Sequence, residues 1–150
     1  MPKLSILHRK QIDYGYCLPA CVEMVLALYG LNRTQQEIAQ SLGTIPDFGT
    51  PAPNILRLQS RTLAVSRQIG DPVLLVDALA RNVPPIVEVD TRFLSYWDEA
   101  CLHVILIAAM GDDSVLIHDP AFDEPKTIHL DDLLLAWIEK DNQTILIERR

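Results

Sequence analysis

The sequence predicts an α+β domain in which helices come first and an antiparallel sheet follows. Two patterns lead to this fold class. Over residues 18–82, apolar positions recur at helical spacing in segments divided by proline and glycine. From residue 85 onward, the apolar segments are short, rich in β-branched residues and joined by turns. The chain has 150 residues, 49% of them apolar, and we expect one domain over residues 1–150 with a full hydrophobic core.

Two helices with clear termini are expected first. Leu18–Tyr29 has apolar residues at helical spacing, and Pro19 suits the first turn, where its missing N–H would be unpaired anyway. The second helix begins after Thr34, which can form a capping box with Glu37, and it ends at Gly43.

Two further helices are expected before the sheet. One follows Thr50-Pro51 and is expected to turn three residues toward the core, namely Ile55, Leu56 and Leu58. The other begins at Asp71-Pro72, an N-cap followed by proline, and runs to about Asn82.

Five strands are expected to form the sheet. They are Pro85–Asp90, Leu102–Met110, Val115–His118, Lys126–Leu130 and Gln143–Glu148. The second is almost wholly apolar, which is typical of a strand buried on both faces, and a turn at Gly111–Ser114 joins it to the third in a hairpin. Asp131 is expected to cap a short helix that runs through Trp137.

The composition excludes several classes of function. The 13 Lys and Arg against 20 Asp and Glu give a net charge of −7, which argues against nucleic-acid binding and against docking on anionic lipid. No apolar run reaches the ~20 residues of a membrane span, and the N-terminus lacks the apolar stretch of a signal peptide. Three cysteines are too few for a disulfide scaffold, so we expect a cytoplasmic protein.

Cys17 is the candidate nucleophile. It lies directly before the first helix, where unpaired backbone N–H groups and the positive end of the helix dipole favour a thiolate over a thiol. The alternative interpretation is a small buried apolar residue, which is the common fate of a free cysteine. Cys21, one turn further on, and Cys101 are expected to be packing residues.

A nucleophilic thiolate needs a base and a group that orients that base. His103 opens the long strand, and the hairpin brings it to the same end as Asp119. We expect the Asp119 carboxylate to hold the His103 ring while the other ring nitrogen faces Cys17. Side chains alternate along a strand, so His118 is expected on the opposite face from Asp119. The remaining two histidines are interpreted as surface residues, namely His8 and His129.

Gln11 completes the candidate set. It lies six residues before Cys17, and its amide could join the Cys17 backbone N–H in an oxyanion hole, although by itself it could equally be an exposed loop residue. A cysteine on a leading helix, followed by histidine and then aspartate on a sheet, is the papain-like arrangement. Tyr96 and Trp97, in the loop before the long strand, are candidate substrate contacts or, alternatively, aromatic cover for the core.

Two segments resemble the bacteriocin-leader (double-glycine) peptidase family, namely QIDYGYCLPACVEMVLALYG and CLHVILIAAMGDDSVLIHDPA. The family's pattern has a glutamine six positions before the nucleophilic cysteine, a histidine that opens a hydrophobic strand, and a later Asp-Pro. The segment PKTIHLDDLLLAW is similar to the family's last strand and helix, so the resemblance covers nearly the whole chain.

The resemblance implies a papain-like cysteine peptidase fold and assigns four roles. Cys17 would be the nucleophile, His103 the general base and then acid, Asp119 the orienting group and Gln11 the oxyanion donor. It also implies no metal or other cofactor, a peptide or protein substrate cleaved after a Gly-Gly pair, and a membrane transporter that exports the cleaved peptide.

This chain departs from the family's usual form in two respects. It carries no transporter segment, so we expect a stand-alone peptidase or a domain of a longer protein. Two residues that flank the expected position of the scissile bond also differ, because Leu18 stands where glycine is usual and Tyr16 where an acidic residue is common.

Two other classes of function stay open on the sequence. One is a non-catalytic module on the same fold that binds a leader or partner peptide without cutting it, for which the pH dependence of Cys17 alkylation is the discriminating measurement. The other is a metal site built from Cys17, Cys21, Cys101 and His103, although neither Cys17-x3-Cys21 nor Cys101-x-His103 has a zinc-knuckle spacing.

Overall fold

The computed structural model describes residues 3–150 as a six-stranded sheet with helices on both faces. The elements in chain order are α1 (Cys17–Leu28), α2 (Gln35–Leu42), the 3-10 segment η1 (Ala52–Leu58), β1 (Leu63–Ile69), α3 (Pro72–Ala80), β2 (Ile86–Asp90), the 3-10 turn η2 (Thr91–Phe93), β3 (Leu102–Met110), β4 (Ser114–His118), β5 (Lys126–His129), α4 (Leu130–Ile138) and β6 (Gln143–Arg149). None of the helices within residues 3–150 has the length and apolar character needed to cross a bilayer.

The sheet has the strand order β1-β6-β2-β3-β4-β5, and every pair of neighbours is antiparallel. The predicted α+β class is therefore confirmed. β3 has the bounds predicted from the sequence, because a run of branched apolar residues is what a strand covered on both faces requires. The expected hairpin of β3 and β4 is also present, and its register shifts at a bulge between Ile107 and Ala109.

Because side chains alternate along the strands, each face of the sheet contributes to its own hydrophobic core. Ile86 and Leu106 pack with α1, α2 and η1 on one face of the sheet. Val87 and Ile105, the next residues along the same strands, pack with α3 and α4 on the other face. The expectation of leading helices followed by a sheet is thus refined, because α3 and α4 cover the second face of the sheet.

The predicted starts of α2 and α3 are confirmed by their caps. The Thr34 hydroxyl accepts from the Glu37 N–H at 3.1 Å, and the Glu37 carboxylate accepts from the Thr34 N–H at 3.5 Å, which is the full capping box. The Asp71 carboxylate accepts from the Leu74 N–H at 2.8 Å at the start of α3.

Two helix predictions need correction. The segment after Pro51 is a 3-10 helix with three residues per turn, so Ile55 and Leu58 share its buried face while Leu56 is half exposed rather than inward. The N-cap of α4 is His129 rather than Asp131, which lies within the first turn, where its charge suits the helix dipole.

β1 is a strand that the sequence does not predict. Its apolar run is interrupted by Ser66, Arg67 and Gln68, and as an edge strand it has little continuous burial to mark it. It pairs along its whole length with β6. Arg67 donates from Nε and Nη2 to the buried Glu88 carboxylate on β2, at 2.8 and 3.0 Å, which ties this edge to the middle of the sheet.

Candidate active site

Cys17 is the first residue of α1 and is half-buried in the wall of a cleft of about 540 Å³. The helix start is open, because the N-cap residue Tyr16 makes no side-chain capping bond and the first turn contains no acidic residue. The free N–H groups and the positive end of the dipole therefore act on the thiol side chain and on anything bound beside it.

Cys21 lies one turn further along α1 and is fully buried. Its thiol points to the carbonyl oxygen of Val104 at 3.9 Å, and burial, with the negative charges of Cys17 and Asp119, raises its pKa well above the ordinary value. It is a packing residue, as predicted.

His103 and Asp119 lie close together at the open end of the β3–β4 hairpin, where β3 extends beyond the last residue of β4. His118 pairs with Leu106 in the ladder, so Asp119 comes next to Ile105 and diagonal to His103 on the same face. His103 Nε2 lies 2.6 Å from Asp119 Oδ1. That bond leaves the Nδ1 atom of the ring for Cys17, and both side chains line the cleft.

The Asp119 carboxylate is fully buried and accepts hydrogen bonds from four groups. Oδ1 accepts from His103 and from the Ala121 N–H at 3.0 Å. Oδ2 accepts from the Tyr96 hydroxyl and from Trp97 Nε1, both at 2.8 Å. Burial alone would raise the pKa of this carboxyl, but the bonds and charge of His103 and the donors from Ala121 and Trp97 lower it below its usual range.

The His103 imidazole is buried and charged at neutral pH. Burial by itself lowers its pKa, but hydrogen bonds with Asp119 and Cys17, together with their charges, outweigh that effect and raise the pKa to about 10. The edge of the Trp97 indole packs on this ring, with centroids 4.9 Å apart. The site therefore holds an imidazolium between the Cys17 sulfur and the Asp119 carboxylate.

Gln11 lies on the N-terminal segment that forms the other wall of the cleft. Its backbone N–H donates to the Pro120 carbonyl at 2.7 Å, and its side-chain Nε2 donates to the Asp13 carbonyl at 2.9 Å. A primary amide carries two N–H donors, so one remains for a ligand in the cleft. Its Oε1 is buried with no partner among the described residues, which costs about 1–3 kcal/mol and argues that the side chain is not placed there for stability.

The structure thus brings together the four residues singled out in the sequence. Gln11, Cys17 and His103 line one cleft, and Asp119 lies behind His103. The rest of the lining includes the exposed apolar side chains of Tyr14, Phe48 and Leu102 and the carboxylates of Asp13, Asp47 and Glu99. The chemistry available is attack by a thiolate on a carbonyl, with an acid and base at the same point.

Tyr96 and Trp97 have a role that sequence reasoning missed. Both donate to Asp119, so neither is only a substrate contact or a cover for the core. Trp97 also lines the cleft, whereas Tyr96 lies outside it. No local pattern marks these donors, because they come from an irregular loop that reaches the carboxylate only in the folded chain.

His8 is not the isolated surface residue predicted from the sequence. Its ring stacks on that of His118, with Nδ1 atoms 3.0 Å apart, and its Nε2 lies 2.8 Å from the Phe122 carbonyl. Burial and the neighbouring His8 lower the pKa of His118 to about 4. His118 faces away from Asp119, as expected, and His129 is exposed, as expected.

Cys101 is exposed rather than a packing residue, and it lines the cleft. The structure does not place the four ligands of the alternative metal site around one point. Cys21 is buried in the core against Val104, whereas Cys17 and Cys101 line the cleft. Within residues 3–150, no group of three or more His, Cys, Asp or Glu side chains is placed to hold a metal ion.

Comparison with known proteins gives one family and several solved structures of the same fold. Residues 6–141 match the model of the Peptidase C39 family. No curated protein sequence matches the chain. Among solved structures, a C39-like peptidase from Bacillus anthracis is similar at 14% identity and a TM-score of 0.81, with 99% of this chain and 98% of that one covered.

Two further structures have the same fold. One is a double glycine motif protease from an AMS/PCAT transporter, solved in complex with the leader peptide, at 14% identity and a TM-score of 0.76, covering 99% of this chain and 95% of that one. The other is the peptidase domain of Streptococcus ComA, a bi-functional ABC transporter of a quorum-sensing pathway, at 20% identity and a TM-score of 0.75, covering 95% and 98%. At these identities the likeness concerns the fold.

Proposed function

Since the chain belongs to the peptidase C39 family, we propose that it is a cysteine peptidase in which Cys17, His103, Asp119 and Gln11 carry out the cleavage of a peptide bond. The observation that carries the proposal is the buried His103–Asp119 pair, joined at 2.6 Å, at the wall of the cleft that also holds Cys17. We assign this reaction to one domain, which the sequence predicts over residues 1–150.

The first requirement is a thiolate at neutral pH. The pKa of His103 is raised to about 10, so the ring is an imidazolium over the physiological range. The imidazolium of His103 and the open start of α1 both place positive charge beside the Cys17 sulfur. Four donors hold the two oxygens of Asp119, so rotation of this carboxylate away from His103 would break several hydrogen bonds.

Peptide cleavage then follows in two balanced steps. The Cys17 sulfur bonds to the peptide carbonyl carbon, and the carbonyl electron pair moves to oxygen. When the tetrahedral intermediate collapses, the C–N bond breaks and His103 gives its proton to the leaving amine, which leaves a thioester on Cys17. Water attacks the thioester while His103 takes a proton from it, and the C–S bond breaks to release the new carboxyl group and the thiolate.

The developing oxyanion needs donors at the same point. The backbone N–H of Cys17 is free at the start of α1, and the second N–H of the Gln11 amide is available beside it in the cleft. The bond from Gln11 Nε2 to the Asp13 carbonyl orients that amide in advance.

We propose a leader peptide as the substrate, cut after small residues, with a peptide-export transporter as partner and the cytoplasm as the site of cleavage. Support comes from the similar proteins, of which one is a double glycine motif protease in complex with the leader peptide and another is a domain of an ABC transporter. Leu18 and Tyr16 flank the nucleophile and differ from the residues usual in the family. We therefore expect any difference from a Gly-Gly substrate to lie in the residues next to the scissile bond.

The test uses a proteome-derived peptide library in which cut sites are read as new N-termini by mass spectrometry. The purified protein should produce new N-termini preceded by small residues, and the Cys17→Ala variant, at equal folded concentration, should produce none. Equal cleavage by both proteins would contradict the proposal. Peptides that are retained by the wild-type protein but never cut would favour the non-catalytic binding module.

A further inference from the structure

We propose that the loop between Thr91 and Cys101 is a positioning loop, whose residues Tyr96 and Trp97 fix the Asp119 carboxylate and through it the His103 ring. This inference rests on the proposed function of the site. It adds two side chains to the machinery that neither the cysteine–histidine motif nor its spacing reveals.

The first observation is that the two oxygens of the Asp119 carboxylate bind different partners. Oδ1 serves His103 at 2.6 Å, and Oδ2 is occupied entirely by the loop, through the Tyr96 hydroxyl and Trp97 Nε1 at 2.8 Å each. Two donors on one oxygen define the plane of the carboxylate. Asp119 is fully buried, so these donors have no water to replace them.

The loop is closed at its base by a single buried side chain. Thr91 is fully buried, its hydroxyl donates to the Glu99 carbonyl at 2.6 Å, and it accepts from the Cys101 N–H at 2.8 Å. The backbone N–H of Thr91 donates in turn to the Cys101 carbonyl at 3.0 Å. The two ends of the loop are therefore bonded to each other directly before β3, the strand that holds His103.

Aromatic packing holds the two donors in place. The Phe122 ring meets Tyr96 and Trp97 edge-on, with centroids 5.1 and 5.4 Å away. The Lys126 ammonium lies over the rings of Tyr96 and Phe122, at 5.0 and 4.6 Å. Trp97 also touches the His103 ring, so the same indole contacts the base, the carboxylate and the cleft.

Neither donor is lost as pH changes. Burial and the charge of Asp119 raise the pKa of the Tyr96 phenol, so the hydroxyl keeps its proton, and an indole N–H does not titrate. The titratable and charged groups that face Asp119 or pack on its donors are His103 on β3, Tyr96 on the loop, Cys17 and Cys21 on α1, and Lys126 on β5. A change in pH dependence after removal of one donor therefore reports on Asp119 and its partners.

The test removes one donor atom at a time, with Tyr96→Phe and Trp97→Phe. Tyr29→Phe is the matched control, because it deletes the same hydroxyl from a tyrosine outside the site. Within residues 3–150, that hydroxyl donates to the Ile147 carbonyl on the last strand and to no other group. For the peptide cleaved best by the wild-type protein, each donor variant should lower kcat about ten- to a hundredfold, the loss that corresponds to one hydrogen bond to a charged group, with little change in KM.

The acid limb of the kcat profile should also move to higher pH in both donor variants, because a carboxylate with one donor fewer is protonated more easily. The control should change neither quantity. Equal kcat and an unmoved acid limb in both variants, each shown to be folded by thermal unfolding, would overturn the inference while leaving the peptidase proposal intact.

A second readout does not depend on cleavage. The rate of Cys17 alkylation by iodoacetamide is measured against pH in the same four proteins, by mass spectrometry of the labelled peptide. A shift of the acid limb in Tyr96→Phe or Trp97→Phe, but not in Tyr29→Phe, supports the positioning loop even if no peptide is cut. Superimposable profiles in all four proteins would overturn it.

Discussion

Replacement of Asp119 by asparagine should lower the pKa of His103 by about three units. Asp119 Oδ1 lies 2.6 Å from His103 Nε2, and the ring is only 5% exposed, so water screens the pair poorly. An opposite charge at this range shifts a pKa by about 1–3 units, and burial places this pair at the upper end. Three units correspond to about 4 kcal/mol of preference for the imidazolium.

The assay is an NMR titration of the imidazole Cε1–Hε1 signal, assigned to His103 by its loss in His103→Asn. The wild-type protein should titrate at about 10, because the hydrogen bonds and charges of Asp119 and Cys17 outweigh the lowering of the His103 pKa by burial. Asp71→Asn is the control, since it removes a carboxylate from the N-cap of α3 and keeps a residue that caps well. A His103 pKa that differs by less than half a unit between Asp119→Asn and the wild type would refute the reasoning.

Three other changes test separate parts of the account. Gln11→Ala should slow turnover at least a hundredfold, the usual effect of one lost oxyanion donor, with an unchanged urea midpoint, and wild-type turnover would remove Gln11 from the mechanism. Glu88→Gln, which leaves Arg67 without its buried negative charge, should lower the free energy of urea unfolding by about 3–5 kcal/mol, and a loss below about 1 kcal/mol would show that the pair is solvated. Gly15→Ala should destabilise the cleft wall, because Gly15 has φ +82° and an added Cβ would lie 2.9 Å from the Gly49 nitrogen; an unchanged melting temperature would contradict this.

The parts of the fold that the sequence predicts are those with a strong local signal. β3 is correct to the residue because a continuous run of branched apolar side chains has one natural place, between two covered faces. The starts of α2 and α3 are correct because a cap and its partner lie three residues apart, which makes both visible in the chain.

What the sequence does not predict depends on contacts between distant residues. β1 is an edge strand whose identity comes from pairing with β6, some 80 residues later. His8 meets His118 across 110 residues. The same reason explains which residues of the site were predicted. The cysteine, histidine and aspartate could be proposed from their positions in the chain. Tyr96 and Trp97 could not, because only the folded loop brings these donors to Asp119.

Selective alkylation within one molecule tests most directly that Cys17 is an activated nucleophile. The three cysteines differ in setting, since Cys17 lies beside the His103 imidazolium, Cys101 is exposed in the same cleft and Cys21 is sealed in the core. At about pH 6, well below the ordinary thiol pKa of about 8.5, iodoacetamide should label Cys17 at least tenfold faster than Cys101, and Cys21 not at all in the folded protein. Labelling of Cys101 as fast as Cys17 would contradict the account, because exposure alone would then explain the reactivity of the cleft.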